Sequence, residues 1–460
     1  MVWPKTMTLP VRPPESEPTL VELTEWDQIG PERLPALADM ALAENVLSQP
    51  LTERLQNRLD IRRSYHGLII TSTSFVGRVD VGRLRIAIMP KLPAMPLTQL
   101  LRYTYGLRDI TTIEETHAQS ARLGLQDLLI AMLANEVEEL LHRGPARHYV
   151  PTIDNSDSPR GRILIGHLVR NGGVREARLP CQYFDRHVNW HLNQTLRTGL
   201  KVAAHMTDDR ELRRRVHKLA AGFGDVEQKT ILFGNDIDRA ERGLTRLTAA
   251  NAPALSIIRL LHDMLGLGFE HEGELNRTPG FLFDMNRFFQ HLLSRFLHEN
   301  LMQHRIKDEW EIRNIFAYAE QANPRRRAVP VPRPDFALFR GDFMRGFLDA
   351  KYRDIWVKDF PADWLYQLSI YALASPERVS VMLYPSMSAE ATDEQVEVRS
   401  PMQGLSNGSA AVIIRPVPLN RLRLLVSSEQ AINLTAERRR MAEELVSLEV
   451  GKPTQGYQAA

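Results

Sequence analysis

Hydrophobic and polar positions change their period along the chain, and the changes divide it into three parts. Residues 1 to about 30 are rich in proline and glutamate and are expected to form an extended lead-in. From about Tyr65 the texture is β: Gly67-Leu68-Ile69-Ile70-Thr71 precedes Val79-Asp80-Val81-Gly82-Arg83, then Leu84, Ile86 and Ile88 alternate with Arg85 and Ala87. Period-two alternation after such a turn predicts a hairpin with one buried face. Pro90, Pro93 and Pro96 end it, because proline cannot donate to a ladder.

Helical spacing follows. Leu125, Leu128, Leu129, Met132, Leu133, Val137, Leu140 and Leu141 recur at i, i+3, i+4 and i+7, with Gly144 as the stop. Further helices are expected near Val188 to Thr207, Arg210 to Ala221 and Ala254 to Leu265, so the middle third reads as a helical spacer. From about Gly280 the order becomes helix, hairpin, helix, strand. Asp284 suits an N-cap, and Met285, Phe288, Phe289, Leu292, Leu293, Phe296 and Leu297 form one apolar stripe. Asp335-Phe336-Ala337-Leu338-Phe339, a turn at Arg340-Gly341-Asp342 and Phe343 to Tyr352 read as a hairpin. A helix over about Ala362 to Ala374 comes next, then a strand, Val379 to Tyr384, closed by Pro385. The expected fold class is multidomain α/β: an N-terminal β-rich domain (1–110), a helical middle region (111–275) and a C-terminal α/β domain with a tail (276–460).

Composition narrows this modestly. The apolar fraction is 43% and the charged fraction 25%, ordinary for a globular protein. The 58 Lys and Arg against 56 Asp and Glu create no strong overall field, so a polyanion would have to meet a local basic surface. Cys181 is the only cysteine, which excludes an internal disulfide or cysteine zinc cluster and suits a reducing cytoplasm; it reads as a small buried apolar residue. No run of about 20 uncharged apolar residues is present, and the N-terminus lacks a signal-peptide core, so no membrane is expected. There is no G-x-x-x-x-G-K-[ST] loop, hence no recognisable NTPase site in this chain.

The chemistry is concentrated near the C-terminal hairpin. Arg333-Pro334-Asp335 is followed, after thirteen residues, by Asp349-Ala350-Lys351. Positions 349 and 351 share one face of a strand, and Asp335 can reach that face across the hairpin. Two carboxylates and an ammonium suit phosphodiester hydrolysis: Asp335 and Asp349 as Mg²⁺ ligands, Lys351 orienting the attacking water. A plain salt bridge between Asp349 and Lys351 is the bland alternative. Glu227-Gln228-Lys229 has the same triplet form but lies in a polar linker with no upstream Pro-Asp. Gln367 and Tyr371, at i and i+4 on the following helix, can both face the cleft. Arg325, Arg326, Arg327 and Arg333 precede the first strand and are candidate DNA phosphate contacts.

These residues resemble the McrC family, the nuclease subunit of McrBC-type modification-dependent restriction systems, of the PD-(D/E)xK nuclease superfamily. The matching residues are Phe283-Asp284-Met285-Asn286, Arg333-Pro334-Asp335, Asp349-Ala350-Lys351-Tyr352, Tyr366-Gln367 and Tyr371-Ala372, with fainter similarity upstream in Gly67-Leu68-Ile69, Ile86 to Leu92, Leu101 to Tyr105 and Arg160 to Ile163. The resemblance implies an Mg²⁺-dependent DNA endonuclease, using one or two ions. It also implies an AAA+ GTPase partner, a McrB-like hexameric ring, whose hydrolysis the chain stimulates and on which its N-terminal and middle regions dock. Recognition of 5-methylcytosine would lie in the partner. Many relatives carry Glu where this chain has Gln290, and Glu299 and Glu311 are the nearby acidic alternatives.

Two other functions compete: a non-cleaving activator of the GTPase ring, and a standalone repair nuclease. Among lesser features, His187 and His191 are spaced for a metal on a helix, although an ordinary polar contact is favoured. Arg213-Arg214-Arg215 reads as a solvated helix face. Trp356 and Trp364 read as core.

Overall fold

The computed structural model describes residues 19–38, 55, 58–81, 83–107, 125–170, 173, 178–207, 209–264, 281–319, 322–399, 409–427 and 432–449. The chain separates into two compact units, one of Met1–Lys91 with Met264–Phe283, the other of Leu92–Asp263 with Asp284–Ala460.

In the first unit β1 (Thr19–Thr24) and β2 (Gln28–Ile29) lie within the segment expected to be an extended lead-in. Val21 and Leu23 alternate with exposed Leu20, Glu22 and Thr24, so the segment has a strand period that its Pro- and Glu-rich neighbours conceal. Then come β3 (Leu59–Ser64), β4 (Gly67–Ser72), β5 (Phe75–Val81) and β6 (Leu84–Met89). β6 pairs antiparallel with β5, Val81 opposite Leu84, and parallel with β1. Leu84, Ile86 and Ile88 are the buried positions, as the alternation requires. β2, β4 and β3 form a second small sheet.

The second unit begins with α1 (Ala94–Tyr105), ended by Gly106 in the left-handed conformation, and α2 (Leu125–His142). Gly144 follows with φ 78°, the stop expected there. The middle is not purely helical. β7 (His148–Ser156), β8 (Arg162–Ile163), the short α3 (Ile165–Arg170) and β9 (Leu179–His187) include a three-stranded sheet ordered β7-β9-β8. β7 is exposed at almost every position, so neither face carries the alternation from which a strand is read. Cys181 on β9 is buried and free. The expected helices follow as α4 (His191–Met206), α5 (Arg210–Ala221) and α7 (Ala252–Met264), with an additional α6 (Gly234–Arg242) between them.

β10 (Phe281–Asp284) joins β5 in the first sheet, and its last residue caps α8 (Met285–Asn300): Asp284 Oδ1 accepts from the N–H groups of Asn286 at 2.9 Å and Arg287 at 3.3 Å. Every residue of the expected α8 stripe is buried. Next come β11 (Arg305–Asp308), β12 (Phe336–Arg340), β13 (Phe343–Ala350), α9 (Ala362–Ala374), β14 (Val379–Ser386), β15 (Glu394–Val398), β16 (Ala410–Pro418), α10 (Leu419–Ser427) and α11 (Ile432–Val446). The strands make a mixed six-stranded sheet, ordered β11-β12-β13-β14-β16-β15. α8 packs on β11 and β13, and α9 packs on β13, β14 and β16. Phe339, Phe347, Leu368, Tyr371, Met382 and Val412 belong to the core beneath α9. A bulge between Leu338 and Phe339 lets Met344 pack on this core as Phe347 does.

β14 runs through Pro385 to Ser386 instead of stopping at the proline. β13 has ended opposite Leu383, so the missing proline N–H falls where that side of β14 needs no ladder bond. Arg415, buried on β16, pairs with Asp393 at 2.7 Å and donates to the carbonyls of Glu444, Leu445, Ser447 and Glu449, capping the end of α11. No helix among the described residues is long and apolar enough to cross a membrane.

Candidate active site

The β12–β13 hairpin brings the two acidic motifs together at its open end. Phe336 faces Leu348, so one step further along the ladder Asp335 stands opposite Asp349. Asp335 Oδ2 accepts the Ala350 N–H at 2.7 Å, which ties the first motif to the backbone of the second. Lys351 Nζ lies 2.7 Å from Asp349 Oδ2 and 5.9 Å from the centre of the Trp364 ring. The backbone around Lys351 is held on both sides: its N–H donates to Leu383 O at 2.9 Å, and the Tyr352 N–H donates to Asn286 Oδ1 at 3.1 Å. α8 thereby braces the exit from the reactive strand.

This placement perturbs the acids. Burial, then the charge of Asp349, push Asp335 up to about 7, against the opposing pull of the Ala350 N–H and Lys351. Burial also raises Asp349, with Lys351 opposing. Tyr371, on α9, is buried, and its hydroxyl is raised by burial and then by the Asp349 charge. Gln367 Nε2 donates to the Tyr371 hydroxyl oxygen at 2.7 Å, so the helix pair is joined as its spacing suggests and stands within the field of both carboxylates.

The donor set fits a hard divalent ion. Asp349 is 1% exposed, and its Oδ2 makes a charge contact with Lys351 but no well-directed hydrogen bond. Such a buried oxygen, with lone pairs to spare, is stabilised by a cation. Among the described residues no three His, Cys, Asp or Glu side chains gather closely enough to hold a metal by themselves. Two carboxylates are sufficient for Mg²⁺, which keeps several waters and takes further oxygens from a phosphate.

Other candidate residues lie elsewhere. Gln290 is half-buried on α8, with no hydrogen bond to either carboxylate. Glu299 is bound to Tyr103 at 2.5 Å and Arg295 at 2.7 Å, and Glu311 pairs with Arg313 at 3.0 Å and with Arg333, so neither is free to replace a missing acid. Arg333 is thus turned to Glu311, whereas Arg325, Arg326 and Arg327 are exposed on the preceding loop. Lys229 pairs with Asp236 at 2.5 Å, leaving Glu227-Gln228-Lys229 without a site. His187 ends β9 and His191 begins α4, so they share no helix face. Arg213 bonds Thr207 O, and Arg215 bonds Asn135 and Glu138, which makes both structural ties instead of a purely solvated face. Trp364 packs on the α9 core, but Trp356 is 37% exposed and is not core.

One acidic residue escaped the motif reading. Glu309 follows β11, and its N–H donates to Asp335 O at 2.8 Å. It is not in the Pro-Asp…Asp-x-Lys spacing, and only the pairing of β11 with β12 brings it beside the site.

The fold can be compared with known proteins. Residues 70–385 match the family model described as McrBC 5-methylcytosine restriction system component. No curated protein matches. A chain of the solved assembly of Thermococcus gammatolerans McrB AAA+ hexamers with bound McrC is similar with a TM-score of 0.58 at 17% identity, over 93% of this chain and 100% of that one. A chain of the Thermococcus gammatolerans McrBC complex aligns with a TM-score of 0.44 at 19% identity, over 62% of this chain and 89% of that one. The family match spans well over half the sequence, and the chain belongs to the McrBC family of 5-methylcytosine restriction system components.

Proposed function

We propose that this chain is the endonuclease subunit of a modification-dependent restriction system, with a PD-(D/E)xK, restriction-endonuclease-like domain that hydrolyses DNA phosphodiester bonds with Mg²⁺. The observation that carries the reading is the convergence of Asp335, Asp349 and Lys351 at the end of β12 and β13. Asp335 and Asp349 would hold the ion, which when bound polarises a phosphoryl oxygen, lowers the pKa of a water and steadies the leaving oxygen. Lys351 supplies a compact positive charge that orients the attacking water and offsets negative charge growing on the phosphoryl group. Water forms the new P–O bond and the bond to the leaving oxygen breaks. Gln367 and Tyr371 brace the Asp349 side of the cleft, and Arg325, Arg326 and Arg327 contact the DNA backbone.

The partner in this reading is an AAA+ GTPase hexamer, McrB-like, whose hydrolysis the chain stimulates. Three features support it: the family, the fold likeness to a chain from a McrB–McrC assembly, and the lack of a phosphate-binding loop here. The three-stranded sheet of the middle region, together with α3, adds a fourth. Tyr149, Ile153, Ile165, Val169 and Phe184 are 47%, 56%, 68%, 74% and 64% exposed, an apolar surface of the kind that docks on protein. Docking is assigned to this region and to the N-terminal 1–110 segment, and the protein to the cytoplasm.

The test is cleavage of methylated and unmethylated plasmid with Mg²⁺, with and without the GTPase partner and GTP, for wild type, Asp349→Ala and Lys351→Ala. Cutting that requires partner and GTP and is lost in both variants is expected. Absence of cutting in every condition, with GTPase stimulation retained, would replace the nuclease by a non-cleaving activator.

A further inference from the structure

Glu309 has a position that the nuclease reading has not used. Lys307 pairs with Ala337 and Asp308 with Phe336, so the next step of the β11–β12 ladder sets Glu309 opposite Asp335, as the 2.8 Å bond from Glu309 N–H to Asp335 O also requires. Asp335 in turn stands opposite Asp349. Three acidic residues therefore share one register row at the open end of the sheet: Glu309 just past β11, Asp335 just before β12 and Asp349 on β13.

Its neighbours are all engaged. Asp308 accepts from Ser294 at 2.9 Å and meets His298 at 3.3 Å, and Glu311 binds Arg313 and Arg333. The Glu309 carboxylate is exposed and makes no hydrogen bond or ion pair among the described residues, and its charge reaches both Asp335, as the smallest of the influences on that acid, and His291 on α8. Its backbone has φ 48°, a left-handed conformation that is unfavourable for glutamate. The row ends at the buried Asp349 Oδ2, which has no well-directed hydrogen-bond partner.

We propose that Glu309 is a positioning carboxylate of the metal site, accepting hydrogen bonds from the waters of a divalent ion held by Asp335 and Asp349. This rests on the nuclease reading above. An outer role agrees with the absence, among the described residues, of three acids close enough to ligate together, and with the waters that Mg²⁺ retains. Outer carboxylates of this kind change metal affinity by about 10- to 100-fold.

The experiment is Mn²⁺ and Mg²⁺ binding to the full chain by calorimetry, with urea unfolding in chelator alongside. Wild type, Glu309→Gln, Glu309→Gly, Asp349→Ala and, as an exposed control on the hairpin turn, Asp342→Asn are compared. Glu309→Gln is expected to weaken ion binding by about tenfold or more without lowering the urea midpoint. Glu309→Gly is expected to weaken binding equally although it relieves the backbone, which separates the carboxylate from the strain. Asp342→Asn is expected to match wild type. Wild-type affinity in Glu309→Gln, with binding abolished in Asp349→Ala, overturns the role of Glu309 and leaves the nuclease site standing. A wild type that binds no divalent ion, indistinguishable from Asp349→Ala, removes the metal site and this inference with it.

Discussion

Replacing Asp335 by asparagine should make the metal-free protein more stable at pH 8, and by less than half as much at pH 5. The carboxylate is raised from 3.8 to about 7 by burial first and by Asp349 second. A raised acid contributes stability that is fully present below its unfolded pKa and is lost as pH rises through the folded one. The loss therefore falls between about pH 4 and pH 7, and at about 1.36 kcal/mol per unit it amounts to about 4 kcal/mol at most. Asparagine keeps an oxygen to accept the Ala350 N–H, so the local hydrogen bond survives while the charge is gone. Urea unfolding in excess chelator at pH 5 and pH 8 reads the effect. The expected gain is about 4 kcal/mol at most at pH 8 and less than half of that at pH 5, where only about one of the roughly three pH units of loss has been crossed. Added Mg²⁺ should then stabilise wild type at pH 8 and narrow its gap to the variant. A variant less stable than wild type at pH 8, or an equal difference at both pH values, would refute the claim that an unfavourable buried charge is held ready at this site.

Three further outcomes follow from features away from the reaction. Arg415→Ala should cost about 3–5 kcal/mol by urea unfolding, because it removes the ion pair with the largely buried Asp393 carboxylate and the hydrogen bonds to four carbonyls at the end of α11. Glu443 faces a burial penalty, which the N–H groups of Gln303 and Met302 and the His304 ring outweigh, so its carboxyl is held below the ordinary range. A depressed acid stabilises above its unfolded pKa and loses that contribution as pH falls through the folded value. Glu443→Gln should accordingly destabilise by about 1 kcal/mol at pH 7, with the difference fading below about pH 4 in a pH series of unfolding curves. Gly77 has φ 135°, and a Cβ there would meet the Phe281 carbonyl oxygen at 2.1 Å, so Gly77→Ala should break the β5–β10 pairing and cost about 1–3 kcal/mol, seen as faster hydrogen exchange in those two strands.

What the sequence made legible follows where apolar residues are forced to one side. The α8 stripe is visible because all seven of its apolar positions are buried on one face, and Leu84, Ile86 and Ile88 because β6 has one buried face and one open face. The hairpin of β12 and β13 shows itself by a tight turn between two apolar runs, which is also why the motif residues could be placed on it. Where a strand buries little, the signal disappears: β7 is exposed along its length, and β11, Arg305-Ile306-Lys307-Asp308, buries only Ile306 at the sheet edge. Edge strands are kept charged to discourage unwanted pairing, so the feature that protects the sheet also hides the strand from a hydrophobic pattern. That has a direct consequence at the candidate site. Asp349 sits on a strand, and Asp335 and Lys351 at the ends of strands, whose apolar flanks announce them, whereas Glu309 sits beside a strand that announces nothing. Its place in the acidic row depends on a pairing between residues far apart in sequence, and a motif defined by spacing along one hairpin has no means of including it.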